Sequence, residues 1–382
     1  MLNKRIFSTV IGLALLAGVW RPIVSAAAPA TAEPAILAAS NSAPDSTPVR
    51  ILELRGDAAA IGKEHAAALG PAIKTLNAQY LGKILGSPLA RTLAETLAMG
   101  FATKIRPEHL AEIQALAAGV PESESEAMLD NSFLDLMPVV ACSTITLPAD
   151  ASPDHVARFG RNLDFDSFNI ADKNTVVLIY HPAGRYAFAT IGWPGMIGAE
   201  SGMNEFGLTL ACMEVPRGPG LVAHAMPYAL LYRTVLEHCK TVDEAIKLLR
   251  DTPRQTPNNL MLMDAAGHRA VVELTLESVV VRAGKDDTAL ISTNHQRGQD
   301  ADKPGLCWRY DFLHDTALKT YGKIGAPQLV SMLEHVQQTG LTMQSMIFEP
   351  ANRIVYLATG SQAADRKYQR IDLGAYFKAP AK

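Results

Sequence analysis

The stretch VACST at residues 140–144, followed by GRNLDF at residues 160–165, decides how this chain is interpreted. It places Cys142 shortly before Arg161 and Asp164 in the sequence. A cysteine in a hydrophobic run is usually an inert packing residue, whereas a nearby cation favours the reactive thiolate. The two stretches together therefore predict a nucleophile, Cys142, and the residues that activate it.

The first residues have the three-part layout of a secretory signal peptide. Lys4 and Arg5 precede an apolar run at 11–20, and small residues follow at 25–28. We therefore expect residues 1–28 to be a signal peptide and the protein to be exported, to a periplasm or to the medium. No stretch reaches the roughly 20 apolar residues that a transmembrane helix needs, so no transmembrane segment is expected. Residues 29–48, rich in Ala, Pro, Ser and Thr, are expected to form a flexible leader.

Composition argues against several classes of protein. The 35 Lys and Arg side chains are balanced by 38 Asp and Glu, and no basic block occurs, so no nucleic-acid partner is expected. The 10 histidines form no His-x-His or His-Glu-x-x-His pattern, and no Cys-x-x-Cys occurs. Neither a metal site nor any other cofactor is therefore predicted. The absence of a Gly-x-Ser-x-Gly elbow removes the common serine hydrolases.

The four cysteines are Cys142, Cys212, Cys239 and Cys307. In an exported protein they would permit two disulfides. If Cys142 stays a thiol, the other three permit at most one.

Hydrophobic periodicity divides the chain near residue 140. Apolar residues recur at helical spacing from 58 to about 120, which predicts helices there. Beyond Cys142, short apolar runs predict strands at 176–180, 186–191, 208–215, 260–263, 270–274, 343–348 and 354–358. A turn at 264–267 marks a hairpin and hence antiparallel pairing. Helices are predicted at 227–239, at 242–249 behind a Thr241/Glu244 capping box, and at 326–337. This mixture indicates a layered α+β domain.

A set of short motifs follows one order along most of the chain. They lie at 52–65, 142–144, 160–165, 201–208, 259–267, 292–295 and 344–348. In these motifs the chain resembles the cysteine N-terminal nucleophile (Ntn) hydrolases, especially the branch with acyl-coenzyme A:isopenicillin N acyltransferase. It is also similar to acid ceramidases and, more distantly, to choloylglycine (bile-salt) hydrolases and penicillin V acylases. The resemblance implies a four-layer αββα fold, a helical propeptide or small subunit at 49–141, and a catalytic chain at 142–382.

The resemblance further implies self-cleavage between Ala141 and Cys142. Attack of the Cys142 thiol on the Ala141 carbonyl would give a thioester, whose hydrolysis frees Cys142 as a new N-terminus. An α-amino group has a pKa of roughly 7.7 to 8 and a free thiol ~8.5, so this amine can accept the thiol proton without a histidine. Val139 and Val140 would hold the scissile bond extended.

The remaining site residues are assigned by the same resemblance. Arg161 would stand near the thiolate and Asp164 would orient the free amine; the alternative is an ordinary solvated ion pair. Asn204 and Asn294 match positions that point amide groups at the oxyanion, where one donor is worth ~3 kcal/mol. The alternative for Asn204 is a turn asparagine. Arg309 falls where relatives carry a second active-site arginine, although its serine-rich lead-in is absent.

Two alternatives to these assignments concern neighbouring residues. Ser143 or Thr144 would be the nucleophile if the register were shifted, but a cysteine thiolate is intrinsically more nucleophilic. His295, beside Asn294, would be a base, but a lone histidine is more often structural, and this mechanism does not require one.

These observations predict an exported enzyme, made as an inactive precursor, that acts on linear carbon–nitrogen amide bonds. It would hydrolyse an N-acyl amide, N-acyl amino acid or ceramide-like substrate, or transfer its acyl group, through a thioester on Cys142. Its own cleaved N-terminal segment would remain as a small subunit. An apolar acyl group is favoured by residues near the site segments, although such residues more often form core: Trp193, Met196, Met203, Phe206 and Met213. The alternative is a catalytically inactive exported binding or structural protein on the same fold.

Overall fold

The computed structural model describes residues 43–121, 123–137, 141–216, 223–298 and 305–378. The signal peptide expected at 1–28, most of the leader, and Val139 and Val140 before the expected cleavage point lie outside these ranges. Within them, no helix has the length and apolar character needed to span a membrane.

Two β-sheets lie at the centre of the molecule. The larger has eight strands in the order β1-β4-β5-β6-β7-β8-β9-β10, and the smaller has six in the order β11-β2-β3-β12-β13-β14. The strand bounds are β1 Arg50–Gly56, β2 Ala141–Leu147, β3 Arg158–Asp164, β4 Val176–Pro182, β5 Phe188–Gly192, β6 Ser201–Asn204, β7 Thr209–Glu214, β8 Asn258–Met263, β9 Arg269–Leu274, β10 Val279–Ala283, β11 Leu290–Ser292, β12 Thr342–Glu349, β13 Ile354–Thr359 and β14 Gln369–Asp372.

Helices lie before, between and after these strands. Their bounds are α1 Ala58–Thr75, α2 Gly82–Leu85, α3 Pro88–Met99, α4 Pro107–Gly119, α5 Glu124–Asp130, α6 Phe133–Leu136, α7 Tyr228–His238, α8 Val242–Asp251, α9 Trp308–Lys319, α10 Ala326–His335 and α11 Leu373–Phe377. A π-helical stretch, Leu76–Leu81, joins α1 to α2.

The two sheets pack face to face, with helices outside each. Thr144 Oγ1 of β2 lies 3.4 Å from Met213 Sδ of β7, across the space between the sheets. Outside the larger sheet, a Cβ at Gly202 of β6 would lie 2.8 Å from a methyl carbon of Leu236 on α7. Outside the smaller sheet, Asn162 of β3 donates a hydrogen bond to the carbonyl of Leu333 on α10. The predicted four-layer αββα fold is therefore confirmed.

The N-terminal segment contributes a strand as well as the predicted helices. β1 pairs in parallel with β4, from Arg50 opposite Val176 to Gly56 opposite Pro182. The antiparallel pairing predicted from the 264–267 turn is confirmed between β8 and β9, whereas this parallel pair was not predicted. No hairpin signal marks such a pairing, because its two strands are separated by the whole N-terminal helical segment.

Helix α1 is fixed at its start and along one face. Asp57 caps it by accepting the Ala60 N–H at 2.8 Å. The helix packs closely on α4 at Gly62, where a Cβ would lie only 2.4 Å from the Glu112 carbonyl oxygen. Only glycine fits this crossing without moving the α4 backbone.

A buried charge cluster joins α4 of the N-terminal segment to α7 of the rest of the chain. The Arg233 guanidinium donates to both carboxylate oxygens of Glu112, at 2.8 and 2.6 Å, and to Glu237 at 3.0 Å. His109 Nε2 lies 2.8 Å from Glu237 Oε2. These four side chains are almost entirely buried, so each charge depends on its partners.

The strands and helices predicted beyond Cys142 are confirmed, with ends shifted by a few residues. The predicted capping box is only half formed: Thr241 Oγ1 accepts the Glu244 N–H, but the Glu244 carboxylate accepts the N–H of Lys240 and not that of Thr241. Helix α9 was not predicted, because its apolar residues are separated by charged and polar ones. The sequence feature that could have revealed this helix is the helical spacing of Tyr310, Leu313 and Ala317.

Candidate active site

The pairing of β2 with β3 positions the expected nucleophile. Cys142 is fully buried and stands opposite Leu163, while Thr144 stands opposite Arg161 and Ala141 opposite Asp164. Side chains alternate along a strand, so Cys142 and Arg161 share the face directed at the larger sheet. Asp164 belongs to the opposite face. The pairing of these two strands, which residues 148–157 connect, thus brings the two sequence motifs together.

The thiol of Cys142 lies beside a buried cation. Arg161 Nη2 is 3.5 Å from Cys142 Sγ, and Arg161 Nη1 donates to the Glu200 carbonyl at 2.6 Å. Burial raises the pKa of the Cys142 thiol to about 12, while the charge of Arg161 and a hydrogen bond from the Asp164 backbone lower it. In the uncut chain the thiol is therefore neutral near pH 7 and needs a proton acceptor to become a nucleophile.

Both backbone polar groups of Cys142 are held by side chains. Its N–H donates to Asn294 Oδ1 at 2.8 Å, and its carbonyl accepts from Arg309 Nη1 at 2.7 Å. Arg309 Nη2 also donates to the same Asn294 oxygen at 2.9 Å. The nitrogen that cleavage would convert into an amine is thus already placed against an acceptor.

Asp164 anchors the second arginine. Its Oδ2 accepts from Arg309 Nη1 at 3.3 Å and from Gln338 at 3.4 Å, and its Oδ1 accepts from Thr342 at 2.5 Å. Burial raises the pKa of Asp164, while Arg309 and the Thr342 hydroxyl lower it. The carboxylate therefore fixes Arg309, which in turn holds the Cys142 backbone.

Of the residues assigned from the sequence, five come together in space. They are Cys142, Arg161, Asp164, Asn294 and Arg309. Arg309 reaches the cluster from the first turn of α9, the helix that the sequence did not predict.

Asn204 does not belong to this cluster. Its Nδ2 donates to the carbonyls of Leu236 and Cys239, so both amide hydrogens are used. Its Oδ1 accepts the N–H groups of Phe206 and Leu208. The oxyanion assignment of Asn204 is therefore corrected to the alternative role, an asparagine that organises a turn.

Asn294 lies in the site, but its amide does not point a donor at an oxyanion as expected. Its Nδ2 donates to the Glu214 carbonyl at 2.7 Å, and its oxygen faces the Cys142 nitrogen. Asn259 supports the loop by donating to the carbonyls of Thr293 and His295. Asn294 is thus fixed as an acceptor for the Cys142 nitrogen.

Two buried glutamates beside the cluster were missed by the sequence analysis. Glu214 contacts Asn294 through its carbonyl and accepts the Tyr228 hydroxyl at 2.9 Å through its carboxyl. Glu200 is buried, and burial raises the pKa of its carboxyl to about 8. The sequence feature that could have pointed to them is that each glutamate lies within an apolar run. A glutamate there is unusual, because buried glutamates are rare.

The alternative nucleophiles and base have other neighbours. Thr144 Oγ1 donates to the Ser292 carbonyl at 3.2 Å. Ser143, next to Cys142 in the strand, points to the opposite face of the sheet. His295 hydrogen-bonds Cys307. Burial raises the pKa of the Cys307 thiol, but this hydrogen bond and the charge of Arg309 outweigh it and lower the pKa to about 6. Among these side chains and Cys142, only Cys142 lies against Arg161.

An apolar cavity of about 50 Å³ opens next to the cluster. The N-terminal segment supplies part of its wall, including Tyr80 and Phe133, and the rest of the chain supplies Leu163, Trp193 and Glu200. Leu163 is the residue paired with Cys142 across the strands. The cavity is therefore adjacent to the thiol and is built from both sides of the expected cleavage point.

The apolar residues that favoured an acyl group divide into two sets. Trp193 and Met196 line the cavity. Met203 and Met213 are fully buried core residues that do not line it, and Phe206 packs against Tyr186. The core interpretation thus holds for Met203 and Met213.

Within the described ranges, no three or more His, Cys, Asp and Glu side chains are grouped so as to hold a metal ion. All four cysteines are free and buried.

Comparison with known proteins gives one family match. Residues 152–306 match the family described as acyl-coenzyme A:6-aminopenicillanic acid acyl-transferase. The matched range contains Arg161, Asp164 and Asn294, begins after Cys142 and ends before Arg309. The resemblance to the acyltransferase branch is confirmed over this range. No curated protein matches the chain.

Solved structures similar to this chain include three hydrolases. A Caenorhabditis elegans N-acylethanolamine-hydrolyzing acid amidase ortholog gives a TM-score of 0.44 at 18% identity, covering 55% of this chain and 93% of that one. A mutant conjugated bile acid hydrolase from Clostridium perfringens gives a TM-score of 0.42 at 18% identity, and the match covers 61% of this chain and 93% of that one. Penicillin V acylase from Agrobacterium tumefaciens gives a TM-score of 0.40 at 17% identity, and the match covers 57% of this chain and 83% of that one.

Proposed function

We propose that the protein is a self-activating cysteine amidohydrolase or acyltransferase of the Ntn type, because residues 152–306 match the acyl-coenzyme A:6-aminopenicillanic acid acyl-transferase family. The family match supports the general class, enzymes that act at amide bonds. The observation that carries the proposal is the environment of Cys142, whose thiol lies beside Arg161 and whose nitrogen is held by Asn294.

The first step proposed is cleavage of the Ala141–Cys142 bond. The thiol loses its proton, Sγ attacks the Ala141 carbonyl carbon, and the carbon–nitrogen bond breaks as the nitrogen takes up a proton. Water then hydrolyses the thioester, which leaves a carboxylate on Ala141 and a free amine on Cys142. Asn294 and Arg309 hold the backbone of Cys142 on both sides of its Cα during this exchange.

Turnover of the substrate repeats the same chemistry. The Cys142 amine accepts the thiol proton, and the thiolate attacks the acyl carbonyl of the amide. The leaving amine departs with a proton, and the acyl group remains on sulfur as a thioester. Water or an acceptor amine then takes the acyl group. Arg161 favours the thiolate throughout, because a cation within hydrogen-bond distance stabilises the negative sulfur.

An apolar acyl group is the part of the substrate that the cavity fits. Its walls are mainly aromatic and aliphatic, and they begin at Leu163 beside the thiol. Burial of apolar surface contributes about 25 cal/mol per Å², so a hydrocarbon or aromatic acyl group gains binding energy there. We propose N-acyl amides, N-acyl amino acids or ceramide-like lipids as the substrate class.

The segment before Cys142 is proposed to remain bound after cleavage as a small subunit. It supplies β1 to the larger sheet, part of the cavity wall, and the α4 carboxylate that pairs with Arg233. We further propose export, on the signal-peptide layout of residues 1–28. N-terminal sequencing of protein from a native host would show whether those residues are removed.

The decisive experiment compares the denatured mass of the wild type with that of Cys142→Ala, and sequences the N-terminus of every fragment. We expect two wild-type fragments, one beginning at Cys142, and one uncut chain in the variant. Only the wild type should then release products from a panel of N-acyl amides. A wild type that stays uncut and inactive would instead support the binding-protein alternative.

A further inference from the structure

The loop at 193–197, between β5 and β6, forms part of the wall of the apolar cavity. Trp193, Pro194 and Met196 of this loop line the cavity. The Trp193 indole N–H donates to the carbonyl of Ala171, another wall residue, at 2.9 Å. The loop belongs to no helix or strand, so its backbone groups need partners from other parts of the chain.

Two side chains of the N-terminal segment supply those partners. The Gly195 N–H donates to Nε2 of His65, on α1, at 3.2 Å. Asn131, which follows α5, donates through Nδ2 to the Gly195 carbonyl at 3.1 Å and accepts the Ile197 N–H through Oδ1 at 2.8 Å. His65 and Asn131 are both buried, so a loop group that lost its partner would be costly to leave unpaired.

Gly195 lets the loop lie directly against the N-terminal segment. Its φ of +90° is in the region that favours glycine. A Cβ at this position would lie 3.1 Å from Asp130 Oδ2 and 3.3 Å from Ile73 Cγ2. The backbone at Gly195 therefore fits closely between its neighbours and is held there by the hydrogen bonds of His65 and Asn131.

The charge state of His65 suits this contact. Burial and the nearby charge of Arg233 lower the pKa of His65 to about 3, so the ring is neutral near pH 7. A neutral imidazole keeps one nitrogen as an acceptor, whereas the protonated ring has only donors. His65 can therefore accept the Gly195 N–H across the neutral pH range.

The side chains that hold Cys142 come from the other part of the chain. Arg161 contacts its thiol, Asn294 its nitrogen and Arg309 its carbonyl, and all three follow residue 142. The reacting centre and the loop of the cavity wall are thus held from opposite sides of the expected cleavage point.

We propose that the N-terminal segment sets the acyl selectivity of the enzyme, with His65 and Asn131 as the positioning residues that hold the 193–197 loop in place. This inference rests on the proposed function, because it names the residues that shape the acyl site which that function would use. A loop that moves away from its place leaves gaps in the apolar wall. A long acyl group, which contacts more of the wall, then loses more binding energy than a short one.

Binding to uncut Cys142→Ala protein tests this without any turnover. The probes are the 4-nitroanilides of hexanoic and acetic acid, which share one amine, so the ratio of their dissociation constants reports the acyl site. Quenching of Trp193 fluorescence measures binding, since Trp193 lines the cavity. We expect the hexanoyl probe to bind about 100-fold more tightly than the acetyl probe. Added His65→Leu or Asn131→Ala should reduce this ratio to about tenfold or less.

His65→Gln and Asn204→Ala are the matched controls. His65→Gln should keep most of the ratio, because its side-chain oxygen can accept the Gly195 N–H in place of Nε2. Asn204→Ala also removes a buried asparagine that holds the backbone of a turn, but in another part of the fold, so the ratio should stay at the parent value. Thermal unfolding shows that each variant is folded at the temperature of the titration.

Three results would overturn the inference. The first is a parent ratio that persists in folded His65→Leu and Asn131→Ala. The second is a loss of the ratio in Asn204→Ala as large as in those two variants. The third is a parent protein that binds both probes equally or binds neither.

Kinetics in the cleavable wild-type background give a second measurement. His65→Leu and Asn131→Ala should raise KM for the hexanoyl anilide about tenfold with little change in kcat. The rate of self-cleavage should stay the same, because that reaction involves no acyl substrate. A general loss of structure would slow self-cleavage and turnover together, and that result would contradict a role limited to the cavity wall.

The outcome is separable from that of the proposed function. If wild-type protein neither cuts itself nor hydrolyses either anilide, but the binding ratio falls in the His65 and Asn131 variants, the enzymatic proposal fails and the positioning role stands. If wild-type protein cuts itself and hydrolyses both anilides, and the variants keep the parent ratio, the enzyme stands and the positioning role fails.

Discussion

Asn294 holds the backbone nitrogen of Cys142 at 2.8 Å through a side-chain oxygen that Arg309 also contacts at 2.9 Å. In the proposed mechanism this nitrogen becomes the catalytic amine, so it would be positioned before any bond is cut. Asn294 is held in this orientation because its Nδ2 donates a hydrogen bond to the Glu214 carbonyl. The uncut chain thus already holds this nitrogen in the position that the proposed mechanism requires.

Replacing Asn294 by leucine should remove this acceptor and slow both self-cleavage and turnover. We expect a loss of about 100-fold in kcat/KM, which is the usual effect of removing one oriented polar group from a reacting centre. Single-turnover kinetics and the time course of fragment appearance measure it. Asn294→Leu protein that is folded, cut and fully active would contradict this role.

The Asn204→Ala variant should behave in the opposite way. It removes four hydrogen bonds of a buried turn, so the free energy of unfolding should fall by about 2 kcal/mol or more. Activity per folded molecule should be unchanged, because Asn204 lies outside the cluster. Urea titration, combined with active-site counting by a thiol reagent, separates the two effects. A large drop in kcat for correctly folded protein would restore the oxyanion assignment.

Arg309→Met should damage both stability and activity. Arg309 contacts Cys142, Asn294 and Asp164, and its loss leaves the buried Asp164 carboxylate without its cation. Breaking a buried pair in this way costs about 3–5 kcal/mol. The double variant Arg309→Met with Asp164→Asn should recover part of the stability but not the turnover. Thermal unfolding and kcat/KM, measured on the same samples, decide this.

Glu200 should make stability depend on pH. Its pKa is about 8 in the folded protein and 4.5 in its ordinary state, so between these values the folded form holds a proton that the unfolded form has lost. The contribution of Glu200 to the free energy of unfolding therefore falls as pH rises through this window. Glu200→Gln, which cannot ionise, should gain in melting temperature relative to the wild type between about pH 5 and pH 8. A difference in melting temperature that is the same at both pH values would contradict the raised pKa.

Arg233→Met tests what retains the N-terminal segment after cleavage. The variant leaves Glu112 buried without its cation and leaves Glu237 with Arg185 as its remaining arginine, and these two glutamates belong to α4 and α7 on opposite sides of the proposed cut. We expect the uncut Cys142→Ala form to stay in one piece while the cut form releases its small fragment on gel filtration. Lys247→Met, which breaks an exposed pair with Asp251, is the control and should release nothing. Equal retention in both variants would show that the buried cluster is dispensable.

Two short motifs drew attention to Cys142, but the roles of Arg161 and Asp164 were assigned by resemblance. The structure places all three on two neighbouring antiparallel strands, which the sequence analysis did not predict. Arg309 was assigned only by resemblance, since helix α9 has a weak apolar pattern and its docking depends on distant contacts.

Other features depended on tertiary packing that no local pattern encodes. Asn204 had a credible motif, but the carbonyls that occupy its amide come from residues about 30 positions later. Glu200 belongs to no recognised motif, and only its burial and its position beside the cavity single it out. The parallel pairing of β1 with β4 joins strands separated by a long helical segment, which periodicity cannot reveal.

The pairing of β1 with β4 also makes refolding depend on whether the chain has been cut. In the uncut chain one polypeptide supplies both strands, so refolding is unimolecular and independent of concentration. After the proposed cleavage the same edge would have to be rebuilt from two separate polypeptides, and reassembly from the denatured state would follow mass action. The mature protein would then hold a structure that it recovers poorly once lost, with its lifetime set by how slowly it unfolds rather than by how well it refolds.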